Sequence, residues 1–271
     1  MPELSENSGY WDGGFHWRYG GDEWSDWWGS PTRQWRATLY PRVEQFLPTG
    51  RLLEIAPGFG RWTQFLRDHC EELIGIDLSA KCVEACRRRF RRDRRLSFHV
   101  NDGKSLAPIQ DRTVEFTFSF DSLVHAEQDV MDAYLAELAR VLSDDGIAFL
   151  HHSNMAAYTT EQVGRRIPHW RSGSVSAESV AQTAATVGLN CFRQELVTWG
   201  ADHQFFSDSF TWIARTGSKH DRPRAVVANA TFMEEARLAR PRIRLRGYAG
   251  RKAKRPATSA LLRLLRRPGR R

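Results

Sequence analysis

Between residues 51 and 213 the chain alternates short runs rich in aliphatic and β-branched residues with longer segments whose apolar positions recur every three to four residues. Runs of strand length fall at 51–55 (RLLEI), 72–76 (ELIGI), 96–100 (LSFHV), 114–119 (VEFTFS) and 147–151 (IAFLH). The helical period fits 62–68, 80–91, 129–141 and 177–186. Strand, helix and strand at this spacing predict right-handed crossovers and an α/β fold: a doubly wound, mostly parallel sheet with helices on both faces. In an open sheet of that kind a ligand sits outside the carboxyl ends of the strands.

The flanks read differently. Residues 1–45 hold six of the ten tryptophans, Trp11, Trp17, Trp24, Trp27, Trp28 and Trp35. Gly and Asp between them break any regular period, which predicts a Trp-rich N-terminal cap of loops and short helices. Residues 46–216 form the sheet domain. Residues 217–271 read as a linker, a short helix at FMEEARLAR and a flexible basic tail. From Arg237 onward there are fourteen Lys and Arg and no acidic residue, leaving 26 basic against 32 acidic in the rest of the chain. The net charge of +8 therefore belongs to the tail, and the main domain is mildly acidic. A basic segment carrying Leu261, Leu262, Leu264 and Leu265 suits solvated disorder or an anionic membrane surface. The arginine run Arg87–Arg95 reads as a solvated helix end whose cations suit the helix dipole. Four cysteines show no metal-binding spacing, and no leader or long apolar run appears. Together these features predict a cytoplasmic protein, with the tail allowing peripheral contact with the inner face of a membrane.

Candidate chemistry gathers at the strand ends. Glu54 closes the first predicted strand, Asp77 the second, and Asp102 follows the third, at separations of one strand–helix unit each. Gly58 and Gly60 lie in the first turn, where a side chain would keep the backbone from a ligand. A carboxylate at the second strand end is placed to accept hydrogen bonds from both hydroxyls of a ribose. The third acid, with its adjacent amides, can address an adenine edge. A dinucleotide site is the rival reading, but G-F-G-R-W-T lacks the third glycine and carries bulky Trp62 instead.

The run Glu54, Ile55, Ala56, Pro57, Gly58, Phe59, Gly60 resembles the first motif of the class I S-adenosylmethionine-dependent methyltransferases, with Ala56 at the first glycine. The resemblance implies a Rossmann-like fold and S-adenosylmethionine as cofactor. It assigns Glu54, Ala56, Gly58 and Gly60 to the methionine portion, Asp77 and Leu78 to the ribose, Asp102 and Gly103 to the adenine, and Phe120 to the same pocket. Family enzymes that methylate nucleic-acid amines carry N/D-P-P-Y/F where this chain has Phe120–Leu123, and those that methylate pyrimidine carbon need a cysteine, absent between Cys86 and Cys191. Nucleic-acid substrates are therefore not expected.

Residues 115–213 further resemble bacterial saccharide and polysaccharide O-methyltransferases. That implies a carbohydrate or glycosylated acceptor, with Trp170 and Arg171, and Trp17 from the cap, facing it. Removing the proton of an acceptor hydroxyl calls for a base, and His152 or His125 is the candidate, with His152 favoured and Asp121 orienting it or the acceptor. Some sugar O-methyltransferases use a divalent metal such as magnesium; Asp121 could be a ligand, but no second ligand is evident. The alternative acceptor is a lipid or small molecule methylated at the membrane surface.

Overall fold

Aliphatic runs too short for a helix, and apolar on both pleat faces, suit strands covered on two sides. The computed structural model describes residues 4–163, 171–200 and 202–239. Its eight strands are β1 (Thr49–Ile55), β2 (Cys70–Asp77), β3 (Leu96–Val100), β4 (Val114–Ser119), β5 (Leu142–Ser153), β6 (Leu189–Val197), β7 (Asp208–Arg215) and β8 (Ala225–Asn229). They form one sheet in the order β3-β2-β1-β4-β5-β7-β6-β8. The first five pair in parallel, β7 runs antiparallel to β5 and β6, and β8 is parallel to β6.

Side chains alternate across the pleat, so neighbouring residues enter different cores. Leu52, Phe116, Phe118 and Phe149 pack on one face. Leu53, Ile55, Ala148 and Leu150 pack on the other. Four helices flank the sheet: α1 (Thr63–Leu66), α2 (Ala80–Arg89), α3 (Gln128–Val141) and α4 (Ala177–Thr186). Val83 and Cys86 of α2 join Trp28, Trp35 and Leu39 on the first face. Leu135 and Leu138 of α3 and Val180 and Ala184 of α4 cover the second. Two serines start these helices: Ser79 Oγ accepts from the Cys82 amide at 3.1 Å, and Ser176 forms a capping box with Ser179. No helix among the described residues is long and apolar enough to cross a membrane.

The structure adds to the expected pattern. The fifth strand is longer than predicted, because a register shift between Val114 and Phe116 lets β5 begin at Leu142. Strands β6 and β7 form an antiparallel pair that extends the sheet. Beyond the turn at 216–224, β8 adds an edge strand whose first four residues are exposed and so carry no alternation to read. The arginine run does more than meet solvent: Arg87 donates to the Phe98 carbonyl at 2.7 Å and Arg89 to the Phe59 carbonyl at 2.9 Å, tying the end of α2 to β3 and to the loop after β1. The basic tail from Arg240 lies outside the described residues.

Arg42 clamps distant pieces of the chain together. Its guanidinium donates to Glu195 on β6 at 3.1 Å and to Glu235 at 2.6 and 2.7 Å, and it lies over the rings of Phe210 and Phe232 at 5.4 and 5.2 Å. Removing it would leave the buried Glu195 carboxylate with only the Asn229 amide at 2.7 Å and Arg193 at 3.9 Å. Arg42→Ala is expected to lower unfolding free energy by about 3 kcal/mol, read from urea denaturation midpoints.

Candidate functional site

Strand order reverses at β1, between β2 and β4, which opens a crevice at the carboxyl ends of these strands. The loop after β1 bends sharply: Ala56, Gly58 and Gly60 all take left-handed conformations, with φ of 56°, 57° and 85°. Alanine at the first of these positions costs about 1 kcal/mol relative to glycine. The two glycines do different work. A Cβ on Gly58 would stand 3.1 Å from the Trp17 ring, whereas one on Gly60 would meet Phe90 at 2.5 Å. Gly58 thus leaves room at the crevice, and Gly60 lets the loop pack on the end of α2.

Asp77, at the tip of β2, accepts from the Gly58 amide at 3.0 Å and the Ser79 amide at 2.9 Å. Burial pushes its carboxyl up to about 6 against the pull of those amides, and the nearby Asp12 adds to the rise. Glu54 lies beneath the loop, 1% exposed. Its Oε2 accepts from Thr63 Oγ1 at 2.5 Å, while Oε1 is buried without a donor among the described residues. Burial pushes this carboxyl up to about 8, and the charge of Asp77 adds to the effect. Asp102 is exposed and turns to its own loop, accepting from the amides of Lys104 and Ser105 at 2.9 and 2.7 Å. Those amides hold its carboxyl below the usual range. The preceding Asn101 instead reaches Tyr134 Oη at 3.0 Å.

A cavity of about 990 Å³ lies over these tips. Its wall includes Ala56, Gly58, Asp77, Leu78, Gly103, Phe120, Asp121, His125 and Arg171, all singled out in the sequence, together with Trp17. Glu54, Gly60, Asp102 and His152 are not on that wall, and Trp170 lies outside the described residues. The N-terminal segment closes the cavity from above. Trp17 stacks on Phe59 with centroids 4.4 Å apart, Trp11 lies 5.8 Å from the His125 ring, and Leu4 fills the space beside Gly103. Asp12 accepts from Ser79 Oγ at 2.5 Å.

The histidines of β5 face opposite ways. His152 is fully buried, with Nδ1 2.8 Å from the Ser153 carbonyl and Nε2 2.7 Å from Thr211 Oγ1, and burial lowers it to about 4. His151 instead points toward the loop after β4, as does Arg61, and Asp208 stands behind the imidazole; sequence reasoning missed both Arg61 and Asp208. Arg61 Nη2 donates to Asp121 at 2.8 Å, with its guanidinium 4.7 Å over Trp62. Arg61 follows the glycine loop directly, which was the available sign; nothing local marks Asp208. Asp121 between Arg61 and Arg171 does not fit a cation site, since two guanidinium groups already meet that carboxylate. Among the described residues no group of three or more His, Cys, Asp or Glu is arranged to hold a metal ion.

Residues 52–146 match a family described as a methyltransferase domain. That stretch runs from β1 into β5 and contains the loops just described. Solved structures of the same fold include an S-adenosylmethionine-dependent methyltransferase from Clostridium acetobutylicum, at 13% identity and a TM-score of 0.55, covering 68% of this chain and 92% of that one. A Pyrococcus horikoshii protein aligns at 20% identity and a TM-score of 0.54, covering 68% and 91%. A chain from the complex of the Haloferax volcanii Trm112 methyltransferase activator with a methyltransferase aligns at 18% and 0.55, covering 74% and 96%. No curated protein matches.

The raised carboxyl of Glu54 sets a pH dependence. A carboxyl at about 8 in the fold and near 4.5 when unfolded binds its proton more tightly in the native state, so stability falls as pH rises between those values. Asp77, at about 6, contributes in the same direction at lower pH. Glu54→Gln keeps the acceptor for Thr63 and removes the titration. Its unfolding free energy relative to the parent, read from urea denaturation, is expected to climb between pH 5 and 8, at no more than about 1.4 kcal/mol per pH unit; a constant difference across that range would contradict the assignment.

Proposed function

We propose that this S-adenosylmethionine-dependent methyltransferase transfers its methyl group to a hydroxyl of a carbohydrate or glycosylated acceptor. The observation that carries the acceptor reading is the tryptophan wall. Trp11, Trp17, Trp24, Trp27, Trp28, Trp62 and Trp199 all line one cavity. The indole N–H groups of Trp17, Trp24, Trp28 and Trp62 are buried without an acceptor among the described residues. Flat aromatic faces suit the C–H faces of sugar rings, and an oxygen-rich ligand would supply acceptors to the orphaned donors.

When bound, the cofactor supplies an activated methyl on a sulfonium, and the rest of the chemistry falls to the chain's own residues. Asp77 offers a carboxylate to the ribose hydroxyls. Ala56, Gly58, Leu78, Gly103 and Phe120 provide the pocket around it, with Gly60 and Glu54 supporting the loop from behind and Asp102 fixing the loop after β3. An in-line displacement needs the acceptor oxygen aligned and its proton removed. His125 takes the base role, because it borders the cavity while both ring nitrogens of His152 are engaged inside the sheet. Asp121 and Arg171 orient the acceptor hydroxyls.

Incubation with methyl-tritiated S-adenosylmethionine and a host cell extract, followed by fractionation, is expected to place label in the carbohydrate fraction; label only in nucleic acid or protein refutes the acceptor. His125→Ala should lower the transfer rate by about 10²- to 10⁴-fold with unchanged calorimetric affinity for S-adenosylhomocysteine, and an unchanged rate would remove His125 from the role. Asp77→Ala should weaken that affinity by about 1–3 kcal/mol, roughly five- to 150-fold.

A further inference from the structure

Asp121 leaves β4 with φ at 62°, in the left-handed region that favours glycine. A side-chain-bearing residue stays there when its surroundings over-determine it. Here the surroundings are three residues brought in from β5, β7 and the segment after residue 170. The Asp121 amide donates to His151 Nδ1 at 3.1 Å. Nδ1 therefore carries the lone pair and the ring proton sits on Nε2, which donates to Asp208 Oδ2 at 2.9 Å. Asp208 also accepts from Arg171, from Nε at 3.1 and 3.2 Å and from Nη2 at 2.9 Å. Arg171 Nη2 stands 4.0 Å from Asp121 Oδ1, which closes the ring.

We propose that His151 and Asp208 are positioning residues, which act through this closed ring to hold the Asp121 carboxylate at the acceptor side of the cavity. Neither lines the cavity, and both are fully buried. The antiparallel register sets their meeting: His151 lies opposite Phe210, so Asp208 is its diagonal neighbour on the same face. Aromatic rings of Phe120, Trp199 and Phe210 surround the imidazole at centroid distances of 4.6, 5.1 and 4.9 Å, which fixes its plane. Burial alone would push the Asp208 carboxyl up, but Arg171 and the His151 hydrogen bond together hold it well below the usual range, so it stays an acceptor. The ring thus acts on Asp121 twice, by a hydrogen bond from its amide to His151 and by the charge of Arg171, 4.0 Å from its carboxylate. Arg61, at 2.8 Å, then meets a carboxylate already aimed. In a buried setting such a network is strong when every member is satisfied.

The inference rests on the cavity being the acceptor site, and its test separates the two. His151→Asn keeps an acceptor oxygen near the Nδ1 position. His151→Gln places its amide near the Nε2 position and leaves the Asp121 amide without an acceptor. Affinity for S-adenosylhomocysteine is expected to stay within about threefold in both, since residue 151 does not line the cavity and meets the cofactor pocket only at the Phe120 ring. Amide hydrogen exchange at Asp121 should be on the order of 10²-fold faster in the glutamine variant than in the parent, and close to the parent in the asparagine variant. The rate of label transfer from S-adenosylmethionine should fall about 10²-fold in the glutamine variant and clearly less in the asparagine variant, which keeps the bond to the Asp121 amide and gives up only the one to Asp208. Equal losses in both variants, or parental exchange at Asp121 in the glutamine variant, would overturn the proposal. Should that variant fail to fold, Asp208→Ala removes the acceptor of His151 Nε2 and of Arg171, with faster exchange and a lower rate expected and parental values overturning the proposal. A parent protein that labels no carbohydrate refutes the acceptor reading, while the exchange comparison still decides the ring.

Discussion

The parallel pairing of β3, β2, β1, β4 and β5, buried on both faces, is the constraint from which the rest follows. Strands covered by helices on two sides have no room for polar chemistry along their length. Their carboxyl ends all point one way, and there the chain must turn, so amides and short polar side chains collect along one edge. Asp77 shows the consequence at its plainest. It ends a buried strand, meets the amides of Gly58 and Ser79, and sits in an environment dry enough to lift its carboxyl to about 6.

Two kinds of wall meet over that edge. One is aromatic and comes largely from the N-terminal segment, whose indoles close the cavity and cover the glycine loop. The other is ionic, formed by Arg61, Asp121 and Arg171 and backed by the buried Asp208, with signs that alternate along the row. Acids and arginines alternate one for one, which offsets the cost of holding them away from water. The two walls offer an acceptor different things: flat apolar faces on one side and directed hydrogen bonds on the other. Rings of Trp62 and Trp199 carry the guanidinium groups of Arg61 and Arg171, so the walls are joined rather than merely adjacent.

Where sequence reading succeeded, a local rule was sufficient. The first four strands and the helices α2, α3 and α4 announced themselves by period, and the acids at 54, 77 and 102 by recurring once per strand–helix unit. It fell short where meaning depends on a partner far along the chain. β8 is an exposed edge strand with no alternation, and it exists because β6 offers it a row of hydrogen-bonding groups. His151 and His152 are indistinguishable as a dipeptide. Which one turns to the loop after β4, and which is sealed against Thr211, depends on the pleat phase of β5 and on what β7 presents there. Asp208 carries no mark in its own neighbourhood.

The sequence by itself determined the α/β alternation, the glycine loop, the three acids at successive strand tips and the tryptophan density of the N-terminal segment, because each is written within a window of a few residues or at a regular spacing. Only the tertiary structure decided that Glu54 and Gly60 stand behind the crevice while Asp77 and Gly58 face it, that the indoles roof one cavity, and that Asp208 reaches Asp121 through an imidazole. Those are relations between elements that meet only after packing, and burial, which sets both the orientation of a side chain and the charge it can keep, is a property of the assembled layers.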